Sequence, residues 1–345
     1  MSTNLLTTDP PPRRCAIPLL VELCAGTAAL SLRLERDGAR PPVSRMGAKT
    51  GYADAILALA GLNPGDKAEH YIWCEPDDGV RLLLHAYRDA ELARAAADII
   101  RSWADEEPRA LWERLRAEGP ARCPPVDAWE VAAAFQVIGG DRKGAWGTFF
   151  SGWATPLHPA AQRHLGPTTC ESYREKYGED VRGWPCGPTG AHPDIQAPRI
   201  EETTGLPATI HDDARTLDPS VPLPGGTLVY IDPPYLNTTG YAHDFGREEW
   251  VPVLRRWADA GARCMVSEAE PIPELVADGW HAVEITAMRQ GQKRTFSRQQ
   301  AEWVTCNFEP DARAARACEW ALEQAERRER AMAGGEQVGL FGGEE

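Results

Sequence analysis

The sequence predicts an α/β fold in which a doubly wound, mostly parallel sheet carries helices and ends in an antiparallel hairpin. Short apolar segments alternate with stretches whose apolar residues recur at helical spacing. Two late strand-like segments, "WHAVEITAM" and "AEWVTCNFEP", flank a basic loop and indicate the hairpin. The length of 345 residues, with 43% hydrophobic residues, suits one large domain that includes an insertion.

The individual elements follow in the order that this fold requires. The segment "AIPLLVELCAGTAALSLRLERDG" indicates a strand over residues 18–23, a turn of small residues, and a helix over residues 28–37. Helices are also predicted at "YADAILALAGL", over residues 80–135, at "WVPVLRRWADAG" and near the carboxyl end. Further strands are expected at "AEHYIWC", "PATIH", "GTLVYI" and "RCMVSE", while residues 140–206 show little periodicity.

These elements divide the chain into five segments. Residues 1–17 form a flexible arm, and residues 18–79 form the first part of the main domain. Residues 80–206 are an insertion with a helical part and a part rich in Trp, Gly and Pro. Residues 207–310 complete the main domain, and residues 311–345 form a charged helix and a flexible tail. The insertion therefore interrupts the sheet between its second and third strands.

The composition excludes several classes of protein. No run of about twenty apolar residues exists, so no membrane span is expected. No signal peptide is evident either, which predicts a cytoplasmic protein. The nine cysteines lack a C-x-x-C pair, which favours reduced thiols over a structural zinc site, and no metal is predicted. The net charge of −14, read alone, disfavours nucleic acid as a partner, but a basic face can lie on an acidic protein.

The residues that follow each parallel strand matter most, because such sheets bind ligands beyond the carboxyl ends of their strands. After the first strand, a turn of small residues lets the backbone approach a ligand closely. The turn has neither the G-x-G-x-x-G pattern of dinucleotide-binding proteins nor a Walker loop, and an ordinary strand–turn–helix unit is the alternative. The candidate ligand contacts in this segment are Glu22, Cys24, Ala25, Gly26 and Thr27.

Acidic residues follow the second and third strands. Glu75, with Asp77 as a close rival, is positioned to accept hydrogen bonds from ribose hydroxyls. Asp213 is positioned to accept a hydrogen bond from the exocyclic amine of a bound adenine ring. These acids could equally cap the turns that follow them, so the sequence leaves both interpretations open.

The fourth strand, "LVYI", leads directly into Asp232, Pro233, Pro234 and Tyr235. An ionised aspartate only accepts hydrogen bonds, and prolines have no backbone N–H to donate. The tyrosine adds a flat face for stacking. The stretch therefore predicts a rigid pocket of acceptors under an aromatic ring, which suits a planar ligand with an amino group, such as adenine or cytosine. A rigid turn after a core strand is the alternative.

At these residues the chain resembles the amino-methylating DNA methyltransferases, and it is most similar to the Dam-like N6-adenine methylases. Cys24 stands where that family usually has an aromatic residue, and Ala28 stands where its second glycine is usual. The R-x-G-x-K segment follows the first strand here, whereas it normally precedes it. The matching segments are "DPPY" at 232–235, "ELCAGTAA" at 22–29, "SRMGAKTGYADAIL" at 44–57 and "AEWVTCNF" at 301–308.

The resemblance implies a Rossmann-like methyltransferase sheet, S-adenosyl-L-methionine as the cofactor, and methylation of the exocyclic N6 of adenine in double-stranded DNA. It implies that Asp232 and the Pro233 carbonyl accept hydrogen bonds from the amino group and that Tyr235 stacks on the base. The target base must then be flipped out of the duplex. The insertion corresponds to the target-recognition lobe, and the R-x-G-x-K segment adds Arg45, Gly47 and Lys49 to the cofactor contacts.

Two alternatives to adenine methylation stay open. An N4-cytosine methyltransferase would use the same amine chemistry, although Ser-Pro-Pro-Tyr is more usual in those enzymes. A catalytically silent, methylase-like nucleic-acid-binding module would fit the altered cofactor loop, but the intact Asp232 and Tyr235 argue against it.

Two stretches without Asp or Glu, residues 142–170 and 286–301, are the candidate DNA surfaces, because phosphate contacts require Lys and Arg. Their candidate residues are Arg289, Lys293, Arg294, Arg298, Arg142, Lys143 and Trp146. The tail is similar to the Q-x-x-L-F peptides that dock on the bacterial sliding clamp, through Gln337, Leu340 and Phe341. Such short motifs also occur by chance, so a disordered tail is the alternative. A monomer is expected.

Overall fold

The fold is α/β, with one mixed and mostly parallel sheet covered by helices. A computed structural model describes residues 15–43, 48–106, 108–118, 126–140, 193–235, 245–289 and 301–333. The predicted α/β class and the mostly parallel sheet are therefore confirmed.

Seven strands form the sheet within these ranges, in the spatial order β3-β2-β1-β4-β5-β7-β6. The first five strands of this order run parallel to one another, and β7 is antiparallel to both β5 and β6. The strands are β1 (Ile17–Glu22), β2 (Ala68–Cys74), β3 (Ala208–His211), β4 (Leu228–Ile231), β5 (Arg263–Glu268), β6 (His281–Glu284) and β7 (Trp303–Cys306).

The predicted antiparallel hairpin is confirmed, because β6 and β7 pair antiparallel with Val283 opposite Val304. The sequence did not predict that β7 lies between β5 and β6. In this position β7 also pairs with β5, where Glu268 is opposite Trp303. The start of β7 therefore lies close to the carboxyl end of β5, at the edge of the sheet where ligands are expected.

Most helices lie where the apolar spacing predicts them. The first is shorter than residues 28–37, and the first strand begins one residue earlier than predicted. Two helices, α7 and α9, fall where none was predicted. The helices are α1 (Ala29–Glu35), α2 (Ala53–Leu59), α3 (Asp78–Arg88), α4 (Ala90–Ser102), α5 (Pro108–Glu118), α6 (Ala128–Gly140), α7 (Pro193–Glu202), α8 (Arg247–Asp259), α9 (Pro273–Ala277) and α10 (Ala312–Ala333).

Two hydrophobic clusters form the core, one on each face of the sheet. Successive residues of a strand point to opposite faces, so β4 contributes Leu228 and Tyr230 to one cluster and Val229 and Ile231 to the other. The larger cluster contains residues of α1 to α7 and of α10, and the smaller one contains residues of α8 and α9. The described helices of the predicted insertion thus share a core with the sheet, and their part in target recognition stays a prediction.

The described helices include none that combines the length and the hydropathy needed to cross a lipid bilayer.

Candidate functional site

The carboxyl ends of β2, β1 and β4 lie side by side and form the floor of the candidate site. Glu22, the last residue of β1, is opposite Trp73 of β2 and Tyr230 of β4. The chain leaves β1 toward β2 and later returns on the other side of β1 as β4. A crevice between two such strands is where open parallel sheets bind ligands.

The turn after β1 is held against the end of β2 by backbone hydrogen bonds. The Ala25 N–H donates to the Cys74 carbonyl at 2.8 Å, and the Gly26 N–H donates to Glu75 Oε2 at 2.8 Å. Gly26 has a φ of +51°, a left-handed conformation that favours glycine. The Thr27 hydroxyl is buried and has no hydrogen-bond partner among the described residues. A buried hydroxyl of this kind is a candidate contact for a ligand.

Both carboxylate oxygens of Glu75 accept backbone hydrogen bonds. Oε2 bonds to Gly26, and Oε1 accepts from the Asp77 N–H at 3.1 Å. Arg81 donates to the carbonyls of Glu75 and Pro76, at 2.8 Å each. The carboxylate that the sequence predicts as a ribose acceptor is therefore fixed between two turns, and its rival Asp77 caps α3 by accepting from the Val80 N–H at 3.1 Å.

Asp213 makes the capping contacts that the sequence offered as the alternative to adenine binding. Its Oδ1 accepts from the Arg215 N–H at 2.9 Å and lies 3.3 Å from the Arg215 guanidinium. Arg215 also pairs with Glu249 at 2.8 Å and lies over the Phe245 ring, 4.9 Å from its centroid. The side chains at the end of β3 are thus joined to the start of α8.

Glu22 points into a buried hydrogen-bond chain. Its Oε1 accepts from the Ser31 N–H at 3.0 Å and from the Ser31 hydroxyl, whose oxygen in turn accepts from Trp73 Nε1 at 2.8 Å. Burial, together with a smaller effect of the nearby charge of Asp232, raises the pKa of Glu22 from 4.5 to about 7, although the hydrogen bonds from Ser31 lower it in part. Burial, followed by the charges of Glu75 and Asp232, also raises the pKa of the Cys24 thiol well above its usual range. These electrostatic effects are consistent with a close approach of the β1 turn and the end of β4.

Four side chains form a compact group at the end of β4, which we call the Lys49 cluster: Lys49, Asp232, Tyr235 and Glu302. The Lys49 ammonium lies 2.7 Å from Asp232 Oδ1 and 3.6 Å from Glu302 Oε1. It also lies 4.6 Å from the centroid of the Tyr235 ring, and the Tyr235 hydroxyl donates to Glu302 Oε1 at 2.5 Å. Lys49 was predicted as a cofactor contact, and the structure brings it to the predicted catalytic residues.

Burial dominates the electrostatics of this cluster. It raises the pKa of Glu302, although the Lys49 charge lowers that pKa in part. Burial, together with the charges of Asp232 and Glu302, raises the pKa of Tyr235 well above its usual range. Tyr235 therefore remains a neutral hydrogen-bond donor at physiological pH.

Glu302 was missed as a site residue. The sequence offered one signal, because Glu302 is the second residue of the late strand segment "AEWVTCNF" that carries the family resemblance. Its role depends on the position of β7 beside β5, which the sequence did not predict.

Several predicted site residues lie outside the described part of the chain. Of the predicted DNA contacts, Arg289 is described, and its guanidinium lies 5.8 Å from the centroid of the Tyr52 ring. Tyr52 directly follows Lys49–Gly51, the short 3-10 turn that carries Lys49, so this end of the basic loop approaches the Lys49 cluster. The residues outside the described ranges are Arg45, Gly47, Arg142, Lys143, Trp146, Lys293, Arg294, Arg298, Gln337, Leu340 and Phe341.

Within the described residues, no group of three or more His, Cys, Asp or Glu side chains is arranged to hold a metal ion. The chain matches no protein-family model, and no curated protein matches it.

Proposed function

We propose that this protein is an S-adenosylmethionine-dependent DNA methyltransferase that methylates the exocyclic N6 of adenine. One observation carries the proposal. Asp232 and Tyr235 follow β4 at the carboxyl edge of a parallel sheet, directly beside the small-residue turn that follows β1. The proposed pocket for an amino base and the candidate cofactor turn would thus adjoin one another.

The finer description of the fold belongs to the same proposal. We propose a doubly wound, Rossmann-like methyltransferase sheet, which is supported by hydrophobic clusters and helices on both faces. The first five strands have the order 3-2-1-4-5, as in dinucleotide-binding sheets. In that order the ligand crevice lies between β1 and β4.

The residues around the β1 turn suit S-adenosylmethionine. A Cβ atom added at Gly26 would meet nothing within 4 Å, so there is open space next to the backbone of this turn. The buried Thr27 hydroxyl lacks a partner among the described residues and could bond to the cofactor. Glu75 would accept from the ribose hydroxyls, since each carboxylate oxygen can accept about two hydrogen bonds. The acids Glu22 and Asp232 would favour the positive sulfonium.

When bound, S-adenosylmethionine supplies an activated methyl group, and the chain's own residues make the target nitrogen reactive. The lone pair of an adenine amino nitrogen is delocalised into the ring, which makes this nitrogen a poor nucleophile. Hydrogen bonds from the amino group to the Asp232 carboxylate and the Pro233 carbonyl would localise that lone pair. Tyr235 would stack on the flipped base and orient it. Positioning and electrostatics therefore account for most of the proposed catalysis.

The proposed function is tested by incubating the protein with methyl-labelled S-adenosylmethionine and mixed-sequence duplex DNA, followed by digestion and identification of the modified nucleoside. The expected product is N6-methyladenine. N4-methylcytosine would instead support the cytosine alternative. Absence of label from DNA, with Asp232→Ala indistinguishable from wild type, would rule out enzymatic activity and leave the binding module.

The role of Glu75 gives a separate prediction for cofactor binding. Glu75→Gln is expected to weaken S-adenosylmethionine binding roughly tenfold. The new amide NH₂ would face one of the two backbone N–H donors, Gly26 or Asp77, and the ribose would lose an acceptor. Isothermal titration calorimetry measures this change. Asp78→Asn is the matched control, since Asp78 is a more exposed acid of the same turn that pairs with Arg81. Equal affinities for the two variants would contradict the assignment of Glu75.

A further inference from the structure

The Lys49 ammonium contacts the two side chains that would recognise the target base. It lies 2.7 Å from Asp232 Oδ1, the proposed acceptor of the amino group, and 4.6 Å from the centroid of the Tyr235 ring, the proposed stacking face. An ammonium is a hydrogen-bond donor, as is the amino group of adenine. The Lys49 ammonium thus makes with Asp232 the kind of contact that the target amino group would make.

Glu302 offers this ammonium a second anion. Its Oε1 lies 3.6 Å from Lys49 Nζ, so a movement of less than about 1 Å would bring the pair to the direct ion-pair distance of about 2.8 Å. The backbone of Glu302 is fixed on both sides, because its N–H donates to Thr286 Oγ1 at 2.9 Å and its carbonyl accepts from the Ile285 N–H at 2.8 Å. The second anion is therefore held at a defined place.

Glu302 also controls the orientation of the stacking ring. The Tyr235 hydroxyl donates to Glu302 Oε1 at 2.5 Å, which fixes the far end of the ring. Tyr235 lies in the segment after β4 and Glu302 directly precedes β7, so this bond joins the two segments across the sheet edge. The ring would keep its position after the ammonium has moved.

We infer that Glu302 is a positioning residue for target-base entry: it receives the Lys49 ammonium when the amino group of the base takes the place of that ammonium on Asp232, and it holds the Tyr235 ring meanwhile. This inference rests on the proposed function. Its physical reason is charge pairing, because a buried ammonium displaced from one carboxylate is costly unless another carboxylate accepts it. Asp232 then becomes available to the amino group.

The test separates the two contacts of Glu302. Glu302→Gln retains an oxygen that can accept from the Tyr235 hydroxyl, but it removes the charge that attracts Lys49. We expect this variant to lower kcat/KM for mixed-sequence duplex DNA roughly tenfold, the effect of losing one charge-assisted contact. The dissociation constant for S-adenosylmethionine should stay within about twofold of wild type, because Glu302 is not among the proposed cofactor contacts.

Adding Lys49→Met to Glu302→Gln should restore most of the lost kcat/KM, because no ammonium then competes with the base for Asp232. A purely structural role for Glu302 would not produce this second-site rescue. Thermal denaturation of each variant, with S-adenosylmethionine present and absent, verifies that it is folded.

The chain contains a matched control at the opposite edge of the sheet. Glu35 accepts from the Tyr71 hydroxyl at 2.9 Å and pairs with Lys67 at 2.8 Å, which reproduces the same three residue types. Tyr71 also bonds to the N–H of Ala68, the first residue of β2, so this group lies at the amino edge. Glu35→Gln is expected to leave kcat/KM for DNA unchanged.

Three outcomes would overturn the inference: Glu302→Gln with wild-type kcat/KM, a loss equal to that of Glu35→Gln, or a double variant no more active than Glu302→Gln alone. Each of these can occur while wild type methylates DNA, so each leaves the proposed function standing. A wild-type protein that binds no S-adenosylmethionine and labels no DNA would instead overturn the proposed function and, with it, this inference.

Discussion

Asp232→Asn is expected to reduce methyl transfer to DNA by roughly 100- to 1,000-fold, the usual effect of removing one preorganised electrostatic contact. The substitution keeps the shape of the side chain but replaces one acceptor oxygen by a donor. That donor would face the amino group of the base and would no longer help to localise its lone pair. It would also release Lys49, which lies 2.7 Å from Asp232 Oδ1. Single-turnover kinetics with labelled S-adenosylmethionine measure the change.

The affinity for S-adenosylmethionine should change much less than the rate, since the proposed partner of Asp232 is the base and not the cofactor. Asp54→Asn is the matched control, because Asp54 is another partly buried aspartate in an ion pair, with Arg33 at 3.0 Å between α1 and α2. Near-wild-type methylation by Asp232→Asn, or a comparable loss in Asp54→Asn, would contradict the assigned role.

Glu22→Gln is expected to stabilise the folded protein relative to wild type as the pH rises from about 5 to about 8, by about 2 to 3 kcal/mol. Burial raises the pKa of Glu22 from 4.5 to about 7. Between these values the folded state holds a proton that the unfolded state has released, so the contribution of Glu22 to stability is lost as the pH rises through about 7. Glutamine is uncharged throughout and avoids the loss, while its oxygen can still accept from Ser31.

Urea unfolding of both proteins at the two pH values measures this difference. Glu91→Gln, at an exposed position in the first turn of α4, controls for the chemical change itself. A difference in stability between Glu22→Gln and wild type that does not vary with pH would contradict an elevated pKa in the folded state.

Local patterns sufficed to predict the strands and the place of Asp232. The segment Leu228–Ile231 is apolar throughout, and it is buried on both faces as a central parallel strand requires. An acid that directly follows such a strand must lie at the carboxyl edge of the sheet. The predicted position of Asp232 therefore followed from chain direction alone.

The contacts among distant segments could not be predicted in this way. Tyr235 and Glu302 are 67 residues apart, and they meet because β7 inserts between β5 and β6. No local pattern encodes that order, because the sequence of β7 would predict a strand equally well if that strand lay at the edge of the sheet. For the same reason Lys49 was predicted as a cofactor contact from its motif, while its pairing with Asp232 depends on the path of the whole chain.

The turn after β1 contains a residue other than glycine in a left-handed conformation. Ala28 adopts φ 50° and ψ 40°, a left-handed conformation that costs a residue with a Cβ atom roughly 1–2 kcal/mol. It stands where the resembling family usually has a second glycine. The backbone at Ala28 thus follows a path that glycine adopts more readily than alanine does. A left-handed turn at this edge of the sheet thus forms without a second glycine, and a search for the glycine alone would overlook it.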